Sequence, residues 1–467
     1  MLVYVALAIA SCGLVLQSQA HPSAEPRGLS DVCTQIKNAI SPASDVFLFG
    51  TPSYVKDVSH WASSSSQVAE CSVEPGTAED VGIILGILSN TRTPFAVKGG
   101  GHASNPGFSS TTGVHIAMSR FSEVTYDAAS QTAVVGAGLV WDDVYAALAP
   151  HNVNVVGGRV AGIGIAGLTL GGGYSWLSNQ YGLTVDTVTA FELVKPGGAV
   201  LSVTEDSDED LFFALKGGLM TFTAPQVDEV TAATAKFSAE VTDPKASITV
   251  TYNFVAGSIG VVLSVFYDGP SPPAGIFDDF LDVNHFTKDV KTRDFLDLVK
   301  TVPSNATAGQ RGIFNTVPLL ELSPAVIDAV VNETKHWGLL LSPLTGTFVS
   351  YAVEPFHPSL LSHTSLASAY PPTRGQILLP LEIYYAWMLS TSDSVMLDAV
   401  RRSTAQLENV AVSTGQARVD TASKYPNYAI YDTPVSRIYG GNLGRLQAIK
   451  ASVDPDNVMG LAGGFKI

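Results

Sequence analysis

A histidine that closes a run of three glycines, Lys98-Gly99-Gly100-Gly101-His102, is the densest chemical signal in the sequence. Glycine has no Cβ, so such a run lets backbone amides approach a bound phosphate closely and adopt the positive φ of a tight loop. A second glycine-rich stretch, Gly157 to Gly173, contains Gly162-Ile163-Gly164-Ile165-Ala166-Gly167 and then Gly171-Gly172-Gly173. Two loops of this kind suit a long dinucleotide. The second carries the Gly-x-Gly-x-x-Gly spacing of a nicotinamide-binding turn, which opens directly into a helix. Here Leu168-Thr169-Leu170 leads into three more glycines, which would break that helix and argues against NAD by this route. A lone loop histidine is ordinarily a surface residue, so His102 takes its meaning from the company it keeps.

That company is Pro94-Phe95-Ala96-Val97 before the glycines, then Val155-Val156-Gly157-Gly158-Arg159, Tyr181-Gly182-Leu183 with Asp186, and Asp210 to Gly218. Together these stretches resemble the FAD domain of the vanillyl-alcohol-oxidase and p-cresol-methylhydroxylase superfamily. Tyr425-Pro426-Asn427-Tyr428, Tyr439-Gly440-Gly441-Asn442 and Asp454-Pro455-Asp456-Asn457 resemble the C-terminal segment of its fungal berberine-bridge-enzyme-like branch. The motifs occur in order over nearly the whole mature chain. The resemblance implies FAD bonded through its 8α-methyl group to His102, with hydride passing to the flavin and O₂ re-oxidising it. It places Gly99, Gly100, Gly101, Ala103, Ser104, Gly162, Ile163, Gly164, Gly167, Gly172, Asp186 and Asn442 at the cofactor. Many relatives add a second link through a cysteine where this chain has Val160, so a single bond is expected. Leu168 stands where some relatives tune the flavin with a histidine, and Ile163 stands where O₂ reaches the ring.

Two side chains are candidates for removing a substrate proton. The resemblance puts Tyr428 at the substrate face of the flavin; a tyrosine acts as a base near neutrality only beside a positive charge or a hydrogen bond to its anion. Glu382 is second, on a stretch, Leu381 to Trp387, whose alternation suits a strand lining a pocket. A solvated strand glutamate is its ordinary reading. Tyr384, Tyr385 and Trp387 read as pocket or core aromatics.

The chain departs from the family after Lys216-Gly217-Gly218. An Asn-Phe-Gly-Ile-Val type segment and a further strand pair are expected there, yet Gly218-Leu219 runs straight into Met220-Thr221-Phe222. A gene-model splice error or a truncated variant accounts for this, and a chain lacking the segment should show an uncovered sheet edge.

The surrounding elements follow from local pattern. Thr77 with Asp80 three residues on, then Val81, Ile84, Leu85 and Leu88, predicts a capped amphipathic helix over Glu74–Asn90. Short strands are expected at Pro94–Val97, Val114–Met118, Ala133–Gly136 and Val153–Val156, and helical spacing at Trp141–Leu148 and Ser394–Val410. A hairpin is expected from Phe191–Val194 and Val200–Val203 around Pro196-Gly197-Gly198, and strands at Ser247–Phe254 and Ile259–Phe266. The fold class is α+β: a two-part FAD-binding domain of the p-cresol-methylhydroxylase type and an α+β substrate domain with an antiparallel sheet. The expected division is a signal peptide at 1–20, the FAD domain at 21–222, the substrate domain at 223–420 and a return to the FAD domain at 421–467.

Met1 to Ala20 is uncharged and apolar with a small-residue end, which reads as a secretory leader cut before His21. Of three cysteines, Cys12 leaves with it, and Cys33 and Cys71 remain as an expected disulfide in an oxidising compartment. Asn305 and Asn332 lie in glycosylation sequons. A formal charge of −16 disfavours nucleic acid, and no later stretch reads as a membrane span. The leading expectation is a secreted, monomeric oxidase of a fungal secondary metabolite, with O₂ and a small-molecule substrate as partners. A carbohydrate oxidase and a secreted binding or allergen-like protein without turnover are the alternatives.

Overall fold

The computed structural model describes residues 30–204, 216–302, 304–365 and 368–467. The leader at 1–20, Cys12 and the motif residues Asp210 to Leu215 lie outside them.

The first region builds a four-stranded sheet, β1 (Asp45–Leu48), β2 (Cys71–Glu74), β3 (Phe95–Lys98) and β4 (Val114–Ala117), in the order β1-β2-β4-β3. β4 runs parallel to both of its neighbours. The helix Ala78–Thr91 packs on it as its pattern requires. The Thr77 hydroxyl accepts the Asp80 amide at 3.1 Å, and Ile84, Leu85 and Leu88 are buried against Val73, Phe95 and Ile116. Asp80 in turn accepts hydrogen bonds from the Ser41 and Ser44 hydroxyls, both at 2.6 Å, which ties the first turn of that helix to the preceding loop.

Cys33, in the helix Asp31–Ala39, is bonded to Cys71 on β2 across 38 residues. Closing a loop of that length stabilises the folded state by about 3–4 kcal/mol through the unfolded chain. Cys71→Ser is therefore expected to lose about 3 kcal/mol in denaturant titration, and a loss under about 1 kcal/mol would contradict that role.

Two hairpins follow, β5 (Val124–Asp127) with β6 (Thr132–Val135), and β7 (Ala190–Val194) with β8 (Val200–Thr204). Each stands as a two-stranded sheet. Phe191 and Leu193 on β7 are 39% and 48% exposed. Lys216-Gly217-Gly218 does not end the first region. It opens β9 (Lys216–Thr223), which pairs with two strands of the second sheet. The expected strand at Val153–Val156 does not form. Asn152 is left-handed with φ 57°, and Val153 and Val155 pack against the Trp141–Tyr145 cluster without a ladder.

The second region is an antiparallel sheet of seven strands: β9, β10 (Ala246–Val255), β11 (Ser258–Tyr267), β12 (Thr287–Thr292), β13 (Arg311–Leu319), β14 (Gly346–Val353) and β15 (Leu379–Trp387), in the order β12-β9-β11-β10-β14-β15-β13. Side chains alternate across a strand, and β15 divides cleanly. Leu379, Leu381, Ile383, Tyr385 and Trp387 enter the core beside Val326, Ile327 and Val330 of the helix Pro324–Leu341 and Met396, Val400 and Leu407 of the helix Asp393–Ser413. Tyr385 bonds the Tyr351 hydroxyl in that core at 2.6 Å. Glu382 and Tyr384 point the other way. Register then gathers their neighbours: Glu382 sits opposite Thr316 and Ala352, and Tyr384 opposite Phe314 and Ser350. Glu354, two residues past Ala352, lies on this same face.

The tail returns to the first sheet. Ala462 pairs with Phe95, Val458 joins the cluster around Cys33, and Phe465 packs edge-on against Phe108 at 4.9 Å. No helix among the described residues is long and apolar enough to cross a membrane.

Candidate active site

The two glycine stretches meet. A Cβ on Gly100 would lie 2.5 Å from the Gly164 Cα, and one on Gly164 would lie 2.6 Å from the Gly100 nitrogen, so only glycine at both positions permits this approach. Gly162, with φ +81°, donates its amide to Asp142 at 2.7 Å, and the Ile163 carbonyl accepts the Trp141 amide at 2.9 Å. Gly164 opens a helix, Ile165–Leu170, that contains Gly167 and stops after six residues at Gly171. The run of glycines thus ends the helix, as its composition implied. Gly172 approaches the Tyr370 ring.

Gly99 and Gly100 line a cavity of about 300 Å³ together with Lys56, Asp57, Lys98, Ser119, Ser122 and Asp143. The glycine backbone and two hydroxyls suit a diphosphate, with Lys56 and Lys98 set against the carboxylates of Asp57 and Asp143. At the end of the loop His102 stacks on Trp61 with centroids 4.4 Å apart and planes 18° apart. Its Nε2 is enclosed and has no hydrogen-bond partner, and burial pushes its pKa down to about 4, so the imidazole is neutral. Ala103 is partly buried, and the Ser104 hydroxyl accepts the Phe314 amide at 3.3 Å, fastening the loop to β13.

From His102 an aromatic wall leads to the sheet face. Trp61 lies 5.9 Å from Phe314 and 5.3 Å from Tyr384, and Phe314 lies 6.2 Å from Tyr428 with planes 21° apart. Tyr428 meets a buried ionic group there. One guanidinium nitrogen of Arg159, Nη2, donates to Glu354 Oε1 at 2.8 Å and to the Tyr428 oxygen at 2.9 Å, and the Tyr428 hydroxyl donates to Glu354 Oε1 at 3.2 Å. The Arg159 and Glu354 side chains are 10% and 3% exposed, so water screens them little. Phe356 covers the guanidinium at 5.3 Å.

These charges set the titration of the group. Burial, then the Glu354 carboxylate beside it, pushes Glu382 up to about 7, with Arg159 and a hydrogen bond from Tyr428 pulling the other way. Burial and the two carboxylates hold Tyr428 well above the usual phenol range against the pull of Arg159, so its hydroxyl keeps its proton. Burial raises Glu354 while Arg159 and the Tyr428 hydroxyl lower it. Burial alone would weaken the charge on Arg159, but Glu354 keeps it above the ordinary arginine range.

Of the expected site residues, Tyr428, Glu382 and the His102 loop come together. Asn427 bridges to the second glycine stretch by donating to the Leu168 carbonyl at 3.0 Å. Asp186 and Asn442 have protein partners in the fold. Asp186 forms a two-point pair with Arg374 at 2.6 and 3.0 Å and caps the Leu183 amide, while Asn442 donates to the Ser368 and Ala369 carbonyls. Asp186 is 3% exposed, and breaking such a pair costs about 3–5 kcal/mol. Asp186→Ala is thus expected to lower the unfolding free energy by about 3 kcal/mol in flavin-free and flavin-loaded protein alike. A loss confined to the loaded form would assign the residue to the cofactor instead.

Three residues of the site carried no role in the sequence reading. Arg159 stood within a quoted motif, but nothing local showed its partners. Glu354 is a lone acid ending the apolar run Val349 to Val353, a signal available but ambiguous. Trp61 lies in a loop without a motif.

The family described as "FAD binding domain" matches residues 69–204, and the family "Berberine and berberine like" matches residues 424–462. The chain is an FAD-linked oxidoreductase that carries an FAD-binding domain and a berberine-like C-terminal segment. The FAD-binding match falls on the first region, and the second region carries the antiparallel sheet. An uncharacterized FAD-linked oxidoreductase of Arthroderma benhamiae is 28% identical over 87% of this chain and 89% of its own length. The solved structure of Physcomitrella patens BBE-like 1 superposes with a TM-score of 0.74 at 18% identity, covering 92% of this chain and 97% of that one. Glucooligosaccharide oxidase from Acremonium strictum, described with a 6-S-cysteinyl, 8α-N1-histidyl FAD, superposes with a TM-score of 0.74 at 16% identity over 92% and 98% of the two chains. Gly99 and Gly100 line the lysine- and serine-bearing cavity, and the unpartnered imidazole of His102 follows two residues on, which fits an FAD with its diphosphate at the glycines.

Proposed function

We propose that this chain is a secreted oxidase that takes hydride from a fungal secondary metabolite onto FAD carried covalently on His102, with O₂ as the final acceptor. The observation that carries this reading is the meeting of the neutral His102 with Glu382, Tyr428 and the Arg159–Glu354 pair along one aromatic wall. Bound FAD supplies a hydride acceptor that O₂ re-oxidises with release of H₂O₂. The Gly99–Gly101 backbone with Ser119 and Ser122 would hold the diphosphate, and His102 the ring. Val160, where a second link would need a thiol, supports a single bond.

The order of the two base candidates is reversed. Glu382, with its pKa pushed up to about 7, is the group divided between its two protonation states near neutrality, and it takes the substrate proton. Tyr428 stays protonated and orients the substrate from its seat between Arg159 and Glu354. Trp61, Phe314 and Tyr384 favour a planar aromatic substrate by stacking. The test is peroxide release by the flavin-loaded chain over a panel of aromatic secondary alcohols and oligosaccharides. Turnover confined to oligosaccharides would replace this reading with the carbohydrate oxidase.

A second reading, a secreted protein that keeps the fold without turnover, is favoured by the exposed Phe191 and Leu193 on β7. Purified chain with no flavin absorbance would decide for it.

A further inference from the structure

Among the described residues the Arg159 guanidinium is the cation at the centre of this group, and it reaches two acceptors with a single nitrogen. The groups that face it are Glu354 beyond β14, Glu382 on β15, and Tyr425 and Tyr428 from the C-terminal segment, while Tyr384 lies beside Glu382 and Tyr174 beside Glu354. Two carboxylates in one poorly hydrated site cannot both ionise unless a cation offsets one of them. The geometry shows which one is offset. Arg159 contacts Glu354 directly, and the Tyr428 hydroxyl, held as acceptor by Arg159, turns its proton onto the same carboxylate oxygen.

We propose that Arg159 is a positioning residue that commits its charge to Glu354 and so leaves Glu382 as the carboxylate without a cation of its own, able to take the substrate's proton. This rests on the reading of Glu382 as the base. Arg159 touches no reacting atom. It acts by deciding which of two adjacent acids carries the mobile proton, and its place in the second glycine stretch couples that decision to the loop that meets Gly100.

The experiment needs no substrate. In the flavin-loaded chain, the buried carboxylic-acid band in the infrared spectrum is followed against pH, and its Glu382 component is assigned by its loss in Glu382→Gln. With Arg159→Met the carboxylates lose their countercharge and share a proton, so the midpoint is expected to rise by about one pH unit or more, a tenfold change in the ionisation constant. In Arg159→Met/Glu354→Gln both the cation and the competing anion are gone, and the midpoint is expected to return toward that of the wild type. The double variant also keeps the experiment decisive if the buried unpaired Glu354 prevents the single variant from folding, because a midpoint still displaced in the double variant overturns the proposal. An unchanged midpoint in Arg159→Met overturns it as well. If Glu382→Gln removes no titrating band, the base assignment fails instead, which separates the two.

Discussion

His102→Ala is expected to yield folded protein from which acid precipitation releases all of the FAD, whereas the unaltered chain precipitates yellow. The imidazole has the features an attachment point requires. It stands at the end of a glycine loop that abuts a second one, one nitrogen is enclosed and unpaired, and burial keeps it neutral with a pKa near 4. Its structural contribution is smaller. The stack on Trp61 at 4.4 Å contributes about 0.5–1.5 kcal/mol, which a chain of this size can lose and still fold. Loss of attachment and loss of fold are therefore separable by thermal unfolding of the same preparation. Flavin that remains on the precipitated His102→Ala chain would place the bond elsewhere.

Glu382→Gln is expected to slow flavin reduction by a factor of roughly 100 to 10,000, the usual contribution of a general base, and at the same time to stabilise the protein at alkaline pH. The sign follows from linkage. The folded-state pKa of Glu382, about 7, lies above the ordinary value of 4.5. Between those values the folded protein holds a proton that the unfolded chain has released, so stability falls as pH rises through this window and stays reduced above it. Glutamine removes that dependence. The unfolding midpoint of Glu382→Gln should thus draw ahead of the wild type as pH rises from 5 to 8, while anaerobic stopped-flow shows the slower reduction. A glutamate that only supported the sheet would leave the rate of flavin reduction unchanged.

Tyr428→Phe is the comparison. It keeps the ring that packs at 6.2 Å from Phe314 and deletes the hydroxyl between Arg159 and Glu354. It should slow reduction less than Glu382→Gln does, and a larger effect would return the base role to the tyrosine.

What the sequence determined by itself was local. The glycine runs, the Thr77 cap and the alternation of Leu381 to Trp387 act through backbone conformation and side-chain period, which depend on residues a few positions apart. They were enough to place Glu382 on a strand, to end the helix after Leu170 and, through family resemblance, to single out His102 and Tyr428. The tertiary structure decided which of these meet and with what charge. Arg159, Glu354 and Tyr428 lie in three distant parts of the chain and meet because the register of β14 and β15 turns Glu354 and Glu382 to one face, which the C-terminal segment then covers. The pair of Asp186 with Arg374 is likewise a product of the fold. Lys216-Gly217-Gly218, a motif of the first region by sequence, became part of β9, because a strand joins whichever sheet offers it backbone partners. A pKa near 7 for a glutamate could come only from this assembly, since burial and a neighbouring carboxylate are properties of the fold and not of the residue.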